Sequence, residues 1–497
     1  MLHLSAVNES HAGVGYALTM SAVTLLAQEC RSVSRDPRAE SLASIRSKVE
    51  NGQRLTIEDG ETLFATPDIW SVCEMADAVR RRLHGNTAYY NINRHLNYSN
   101  VCALSCKFCE FYRKTDQPGS YTRDMDYVKA EVRTAVENGA TEIHSVGGLH
   151  PTLPFSYYTD LVSTIRDEAR RLGAGGGELH VKAFTAVEIV HLARIAKVYK
   201  GATIQGPEGQ AARREGIRWV LTRLKDAGLG SLPGGGAEVF DDRVHDEAFK
   251  GKIRSDVWLD VHRVAHELGL NTNATILYGH IEQRRERLVH MDMLRKVQDE
   301  AIANASRGAE EQGSKGAFEN GASCSHAPML PCSAASPPPT RGRFQTIIPL
   351  PFFPDGSELE RLPGPGGLEN LRTLAIARLM LDNFAHVKAF WIMQTLPMAQ
   401  LMLQCGADDL DGTVVWYDIT KLPTAGAASQ DRSTHQEVTV RTLQKACRDA
   451  GFVPVERDTL YRRVVRDRAD GRKWKTLAAH DPIQMAGAPR SVPVDFP

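Results

Sequence analysis

No excess of charge of either sign runs through this chain: 60 lysines and arginines balance 60 aspartates and glutamates among 497 residues. That balance, without a long run of like charge, removes the electrostatic footprint of a nucleic-acid binder and points to small-molecule partners. Long hydrophobic runs are missing too. The most apolar early stretch, residues 17–28, falls short of the ~20 continuous apolar residues of a membrane span. His3, Glu9 and His11 precede it, where a secretory signal would carry basic residues. Cysteine is sparse: three of the nine crowd into positions 102–109 and the rest are scattered. Such spacing is no disulfide framework. Thiols kept for metal also need a reducing compartment, so a cytoplasmic enzyme is the expectation.

What is present is a rhythm. After an extension at 1–45 and a helical lead-in at 46–86, apolar runs alternate with amphipathic stretches. Thr56, followed by Glu58 and Asp59, opens the lead-in as a helix cap. Strands are expected at 87–96, 141–146, 179–184, 229–232, 272–277, 344–349, 387–393 and 412–417, with helices between them. Eight alternating units imply a parallel (β/α)8 barrel over 87–420, with working residues on the loops that follow the strands. Residues 303–343 break the rhythm, being rich in Ala, Ser, Gly and Pro. They read as a disordered insertion holding Cys324, His326 and Cys332. A helix/strand segment at 421–467 and a tail at 468–497 complete the chain.

Cys102, Cys106 and Cys109 are spaced three and two residues apart, directly after the first strand. Three thiolates suit three irons of a 4Fe–4S cubane, which ordinarily takes four cysteines. The missing fourth leaves one iron open to a small molecule. A zinc knuckle is the alternative, but it needs a fourth ligand, and the only near candidate, His95, lies on the strand. The spacing, with Phe108 before the last cysteine, resembles the radical S-adenosylmethionine superfamily. The resemblance implies reductive cleavage of S-adenosylmethionine to a 5′-deoxyadenosyl radical, with Phe108 near the adenine.

The other strand ends carry further candidates. Gly147 and Gly148 allow close backbone approach to a ligand, and in the superfamily this segment meets the methionyl amino group. Gly234 and Gly235, in Ser231-Leu-Pro-Gly-Gly-Gly-Ala-Glu238, offer the same freedom. Glu238 stands by for ribose hydroxyls or as a proton acceptor. His280, after the fifth strand, is a candidate donor, acceptor or proton carrier. Strand parity turns Asn91, Asn93, His95 and Asn97 inward to an interior ligand and Arg94 outward to the helices.

The runs NINRHLNYSNVC, CKFCEFYRK, GGLHPTLPFSYY, HVKAFTAVEI, SLPGGGAEVF, NATILYGHIE and VERDTLYR resemble the aminofutalosine synthase family of the menaquinone futalosine route. The likeness covers about 56–300 and 344–466, and the stretch 198–215 is longer than the family spacing. It implies addition of the radical to 3-[(1-carboxyvinyl)oxy]benzoate, giving 6-amino-6-deoxyfutalosine, bicarbonate and methionine. A dicarboxylate calls for cations and donors, for which His95, Asn97, His150, Lys182, Arg243 and His280 are candidates. Family habit adds a flavodoxin or ferredoxin as electron donor. The rivals are dehypoxanthine futalosine cyclase, the deazaflavin synthase radical subunit and, outside enzymes, an iron–sulfur carrier or redox sensor.

Overall fold

The computed structural model describes residues 37–173, 179–200, 206–319, 342–413 and 437–477. Its strands are β1 (Thr87–Asn91), β2 (Asn93–His95), β3 (Glu142–Ser145), β4 (His180–Ala183), β5 (Ser231–Leu232), β6 (Asn271–Tyr278), β7 (Phe344–Pro351), β8 (His386–Val387), β9 (Asp409–Gly412), β10 (Val453–Glu456), β11 (Val464–Arg466) and β12 (Trp474–Thr476). Strands β2 to β8 form one sheet in sequence order, every neighbour parallel. Helices fill each crossover, as parallel pairing requires. The helix Met125–Glu137 shows why they form: Asp124 caps its start, and Val128, Val132 and Ala135 make one buried stripe. The helix Phe155–Arg171 buries Tyr158, Leu161, Val162 and Ile165, each large apolar side chain contributing roughly 1.5–3 kcal/mol.

The expected first strand, 87–96, is two strands with different partners. β1 pairs with β9 and β10, whereas β2 pairs with β3. β9 also meets the other edge of the sheet through a parallel bridge between Lys388 and Asp409, and Asp408 N donates to the Val387 carbonyl at 3.1 Å. The circuit from β8 through β9 and β1 to β2 therefore closes, and the fold is a (β/α)8-type barrel. The last two expected strands are shifted. After β8 the chain turns into a short helix, Trp391–Gln394, and the eighth strand is Asp409–Gly412, with 414–417 outside the described residues.

Three segments differ from their expected limits. The first helix, Pro37–Glu50, begins inside the expected extension. The helix that follows β6 continues to Glu319, well into the expected insertion. Residues 320–341, with Cys324, His326 and Cys332, lie outside the described residues. Part of the expected tail forms β12, which pairs antiparallel with β11. The lead-in docks through buried arginines: Arg295 donates to the carbonyls of Leu55 and Met380, and Arg372 to that of Leu63. Thr56 caps the helix Ile57–Ala65, its Oγ1 accepting from Asp59 N while the Asp59 carboxylate accepts from Thr56 N.

Candidate active site

The segment after β2 leaves the barrel as a loop held by backbone bonds and by side chains, Lys114 Nζ donating to the carbonyls of Cys102, Ala103 and Leu104. Cys102 N donates to the Arg113 carbonyl and Ala103 N to that of Leu149, both at 2.9 Å, and Lys107 N reaches Ala248 O at 3.0 Å. Asn100 clamps the loop twice, donating to Gly119 O and accepting from Tyr121 N, each at 2.8 Å. The loop presents Cys102, Cys106, Phe108 and Cys109 to a cavity of about 330 Å³ at the C-terminal ends of the strands. Burial pushes the Cys106 thiol up to about 11 and raises Cys109 as well, so metal ligation has to provide their deprotonation.

The spacing of the sulfurs tests which metal group fits. A single tetrahedral zinc with Zn–S near 2.3 Å holds its sulfurs about 4 Å apart. Among the described residues, the only His, Cys, Asp or Glu trio with ligand atoms within 4.8 Å of one another is His84, His386 and Asp408. The three cysteine sulfurs therefore do not all lie within that distance of one another; they are not gathered for one ion, and a polynuclear cluster with one iron per thiolate does not need them to be. The His84 trio is itself occupied by the protein. Asp408 accepts from Arg378, from His386 Nδ1 at 2.6 Å and from Val387 N, and His84 Nε2 is bonded to the Ala385 carbonyl.

The glycine turns line the same cavity, Gly147 and Gly148 after β3 and Gly234 to Gly236 after β5. Their smallness serves the protein's own packing. A Cβ on Gly147 would stand 2.6 Å from the Tyr98 ring, one on Gly148 2.3 Å from the Val101 carbonyl oxygen, and one on Gly234 2.5 Å from the Ala274 backbone. The Gly147–Gly148 turn is thereby packed against the cysteine loop and Gly234 against β6, and both turns line the cavity. Beside them Glu238, in a left-handed conformation (φ 43°), pairs with Lys252 Nζ at 2.5 Å. That ammonium lies 4.8 Å from the centre of the Phe108 ring, a cation–π distance.

Buried charge makes up the cavity floor. Lys182 pairs with Glu142 at 2.5 Å and Lys388 with Asp411 at 3.0 Å. Glu142 is held far below the usual carboxylate range, its burial overcome by Lys182, Lys388 and Arg457. The His95 and His144 rings lie 4.5 Å apart on the same floor. Burial lowers His95 to about 4, so both rings stay neutral. Arg94 points out to Glu131 on the helix Met125–Glu137, as strand parity requires.

Four expected site residues stand elsewhere. Arg243 is exposed and held by Glu286, because it lies on the outer side of the helix Asp242–Ala248. His280 is turned back into the chain, bonded to the Leu277 carbonyl and beside Glu282. His150 caps its own turn, its Nδ1 facing Thr152 N and Leu153 N at 3.3 Å. Asn97 follows the end of β2 and is absent from the cavity lining. In their place the cavity takes His144, Glu188, Lys252, Asn273, Lys388 and Asp411. His144 and Lys388 could have been found by the strand parity that found His95. Lys252 sits beyond a short helix, and no local pattern marks it.

A model of the Radical SAM superfamily matches residues 96–294, and one of the CofH/MqnC C-terminal region matches 341–468. The aminodeoxyfutalosine synthase of Thermus thermophilus is 38% identical over 434 residues, 86% of this chain and 97% of that protein. That of Streptomyces coelicolor is 36% identical over 427 residues, 84% and 92% of the two chains. The cyclic dehypoxanthine futalosine synthase of Streptomyces coelicolor is 30% identical over 428 residues, 85% and 89%. With its cysteine loop at the mouth of a closed parallel barrel, the chain belongs to the radical S-adenosylmethionine enzymes of the aminodeoxyfutalosine synthase family, which work with a 4Fe–4S cluster and S-adenosylmethionine.

Proposed function

We propose that this enzyme joins the adenosyl group of S-adenosylmethionine to 3-[(1-carboxyvinyl)oxy]benzoate, giving 6-amino-6-deoxyfutalosine on the route to menaquinone. The observation that carries the reading is the 38% identity to a synthase across nearly its whole length, against 30% to the cyclase over a similar span. When bound, the cluster supplies the electron that cleaves S-adenosylmethionine to methionine and the 5′-deoxyadenosyl radical. Cys102, Cys106 and Cys109 hold that cluster. Phe108, Gly147, Gly148, Gly234, Gly235 and Glu238 surround the adenosyl group.

The chain's own task is orientation and exclusion of water. Leu277, Ile348, Leu350, Phe352 and Phe390 give the cavity apolar walls. The Lys182 and Lys388 ammonium groups each show one ionic partner. A lysine has three N–H donors, so both keep capacity for a substrate carboxylate, with His95 and Asn273 as neutral neighbours. A flavodoxin or ferredoxin in the cytoplasm supplies the electron. Among the described residues, no helix is long and apolar enough to cross a membrane.

Anaerobic turnover with S-adenosylmethionine labelled in the adenine ring tests the reading. The label is expected in a new, heavier nucleoside, in step with substrate consumed. Substrate-dependent, stoichiometric free 5′-deoxyadenosine would instead mark hydrogen abstraction by a cyclase, and the named substrate would fall. In the same preparation Cys106→Ala should lose the cluster absorbance, and Cys447→Ala, far from the loop in the helix Val440–Asp449, should keep it.

A further inference from the structure

The charges that line the cavity are sorted by depth. Glu110, Glu188, Glu238 and Asp355 stand on loops and a helix start beyond the strand ends, and among the described lining residues Lys252 is the only lysine or arginine at that level. The floor carries the other two lysines. Lys182 is the register partner of His144, and His144 of His95. That row lies three residues before the Gly147 turn, roughly 10 Å along a strand. Burial lowers Lys182 from the ordinary lysine value, with Glu142 opposing the shift and Lys388 adding repulsion, so the two ammonium groups converge. Their acids are held by the segment after β10: Glu142 accepts from Thr459 Oγ1 at 2.7 Å, and Asp409, whose carboxylate accepts from Asp411 N, pairs with Arg457. The lysines keep spare N–H donors. His144 adds a buried Nε2 without a hydrogen-bond partner, which a ligand oxygen satisfies. The floor is thus an anion subsite beneath an acidic mouth.

The substrate named above has two carboxylates, and depth tells them apart. The enol-ether carboxylate is carried by the carbon next to the one the radical attacks. It therefore stays at the level of the adenosyl group, beside the cysteine loop. The ring carboxylate is separated from that carbon by the ether oxygen and the aromatic ring, and it alone can reach down. Leu277 and Leu350 are register partners on β6 and β7, four residues beyond Asn273. With Phe390 they wall the cavity above the floor, an apolar belt that suits an aryl ring. We propose that the ring carboxylate is the group bound at the floor, between Lys182 and Lys388, with the aryl ring in the belt and the enol ether turned to the mouth. The inference rests on the substrate reading above and fixes which end of the dicarboxylate enters first.

The test is binding without turnover: anaerobic calorimetry on the reconstituted enzyme, saturated with S-adenosylmethionine, with the cluster oxidised and no reductant. Three ligands are used: 3-[(1-carboxyvinyl)oxy]benzoate, 3-methoxybenzoate (ring carboxylate only) and 2-phenoxyacrylate (enol-ether carboxylate only). Lys388→Met should weaken the first two by the same factor, on the order of ten- to a hundredfold, as expected for a charged hydrogen bond. It should leave 2-phenoxyacrylate binding unchanged. Loss confined to the full substrate and 2-phenoxyacrylate would reverse the orientation and overturn the inference. An equal loss for all three ligands would make Lys388 structural only, and three unchanged affinities would remove it from the subsite. Should Lys388→Met fail to fold, Lys388→Met with Asp411→Asn is read in the same way, because it leaves no uncompensated charge and asparagine tolerates the left-handed backbone of Asp411 (φ 72°). Failure of the unaltered enzyme to bind 3-[(1-carboxyvinyl)oxy]benzoate would instead sink the substrate reading on which the inference rests.

Discussion

At the scale of single residues, the glycines around the cysteine loop act through what they leave room for. The predicted Gly148 Cβ contact is with a backbone carbonyl, at 2.3 Å, whereas that of Gly235 is with the Thr185 methyl, at 2.9 Å. A backbone atom cannot swing aside, so Gly148→Ala must displace the cysteine loop, at a cost of about 1–3 kcal/mol. Gly235→Ala should cost clearly less. Urea midpoints of the two variants, with cluster absorbance after reconstitution, give the ranking. Equal stability and equal cluster content would refute a packing role for Gly148. Charge position matters in the same way: Arg243 and Lys252 are both cations near the strand ends, but only Lys252 is buried against Phe108 and Glu238.

At the scale of elements, β9 decides whether the barrel closes, and it is latched by carboxylates. Asp408 takes Arg378 and His386, and Asp409 takes Arg457 at 2.6 Å, all of these side chains being buried. Removing one member of a buried pair leaves the other charge uncompensated. Asp408→Asn should therefore destabilise the protein by about 3–5 kcal/mol, with Arg378 left without its anion. Glu61→Gln, which breaks the exposed pair with Arg285, should cost below ~1 kcal/mol. Denaturant melts of both variants check this, and similar midpoints would show that the latch carries no special weight. The split at Ile92 belongs to this scale too, since β1 serves the latch and β2 the sheet.

The whole molecule buries many neutral histidines. Burial lowers His84, His266 and His290 to about 3 and His95 and His180 to about 4, with His144 and His262 well below their ordinary value. Unfolded, each takes up a proton near pH 6.5; folded, each resists until about pH 4 or lower. The unfolded state therefore binds more protons below pH 6.5, and stability must fall as pH drops through that window. Each such histidine contributes up to about 1.4 kcal/mol per pH unit. The paired carboxylates add their loss only lower, as pH falls through about 4.5. The urea midpoint of the holoenzyme should be level from pH 8 to 7 and drop steeply from 6.5 to 5. A level midpoint down to pH 5 would contradict the buried neutral state.

The cysteine loop at the cavity, the barrel class and the inward face of β2 were legible in the sequence, because each rests on local spacing. Cys102, Cys106 and Cys109 lie within one loop, the strand and helix periods run over short windows, and alternation turns His95 in and Arg94 out. The family likeness followed from those same runs. Local spacing misled where a residue could satisfy itself nearby: His150 and His280 bond their own turns, and Arg243 finds Glu286. Only the tertiary structure decided the rest. Glu188 reads locally as a helix cap, and comes to line the cavity only when Tyr98 and Gly147, 90 and 41 residues away, close over it. Lys388 and Asp411 meet Lys182 and Glu142 because β8 and β9 complete a ring that begins at β2. Such groups acquire their charge environment from burial among distant partners, and burial is a property of the assembled barrel.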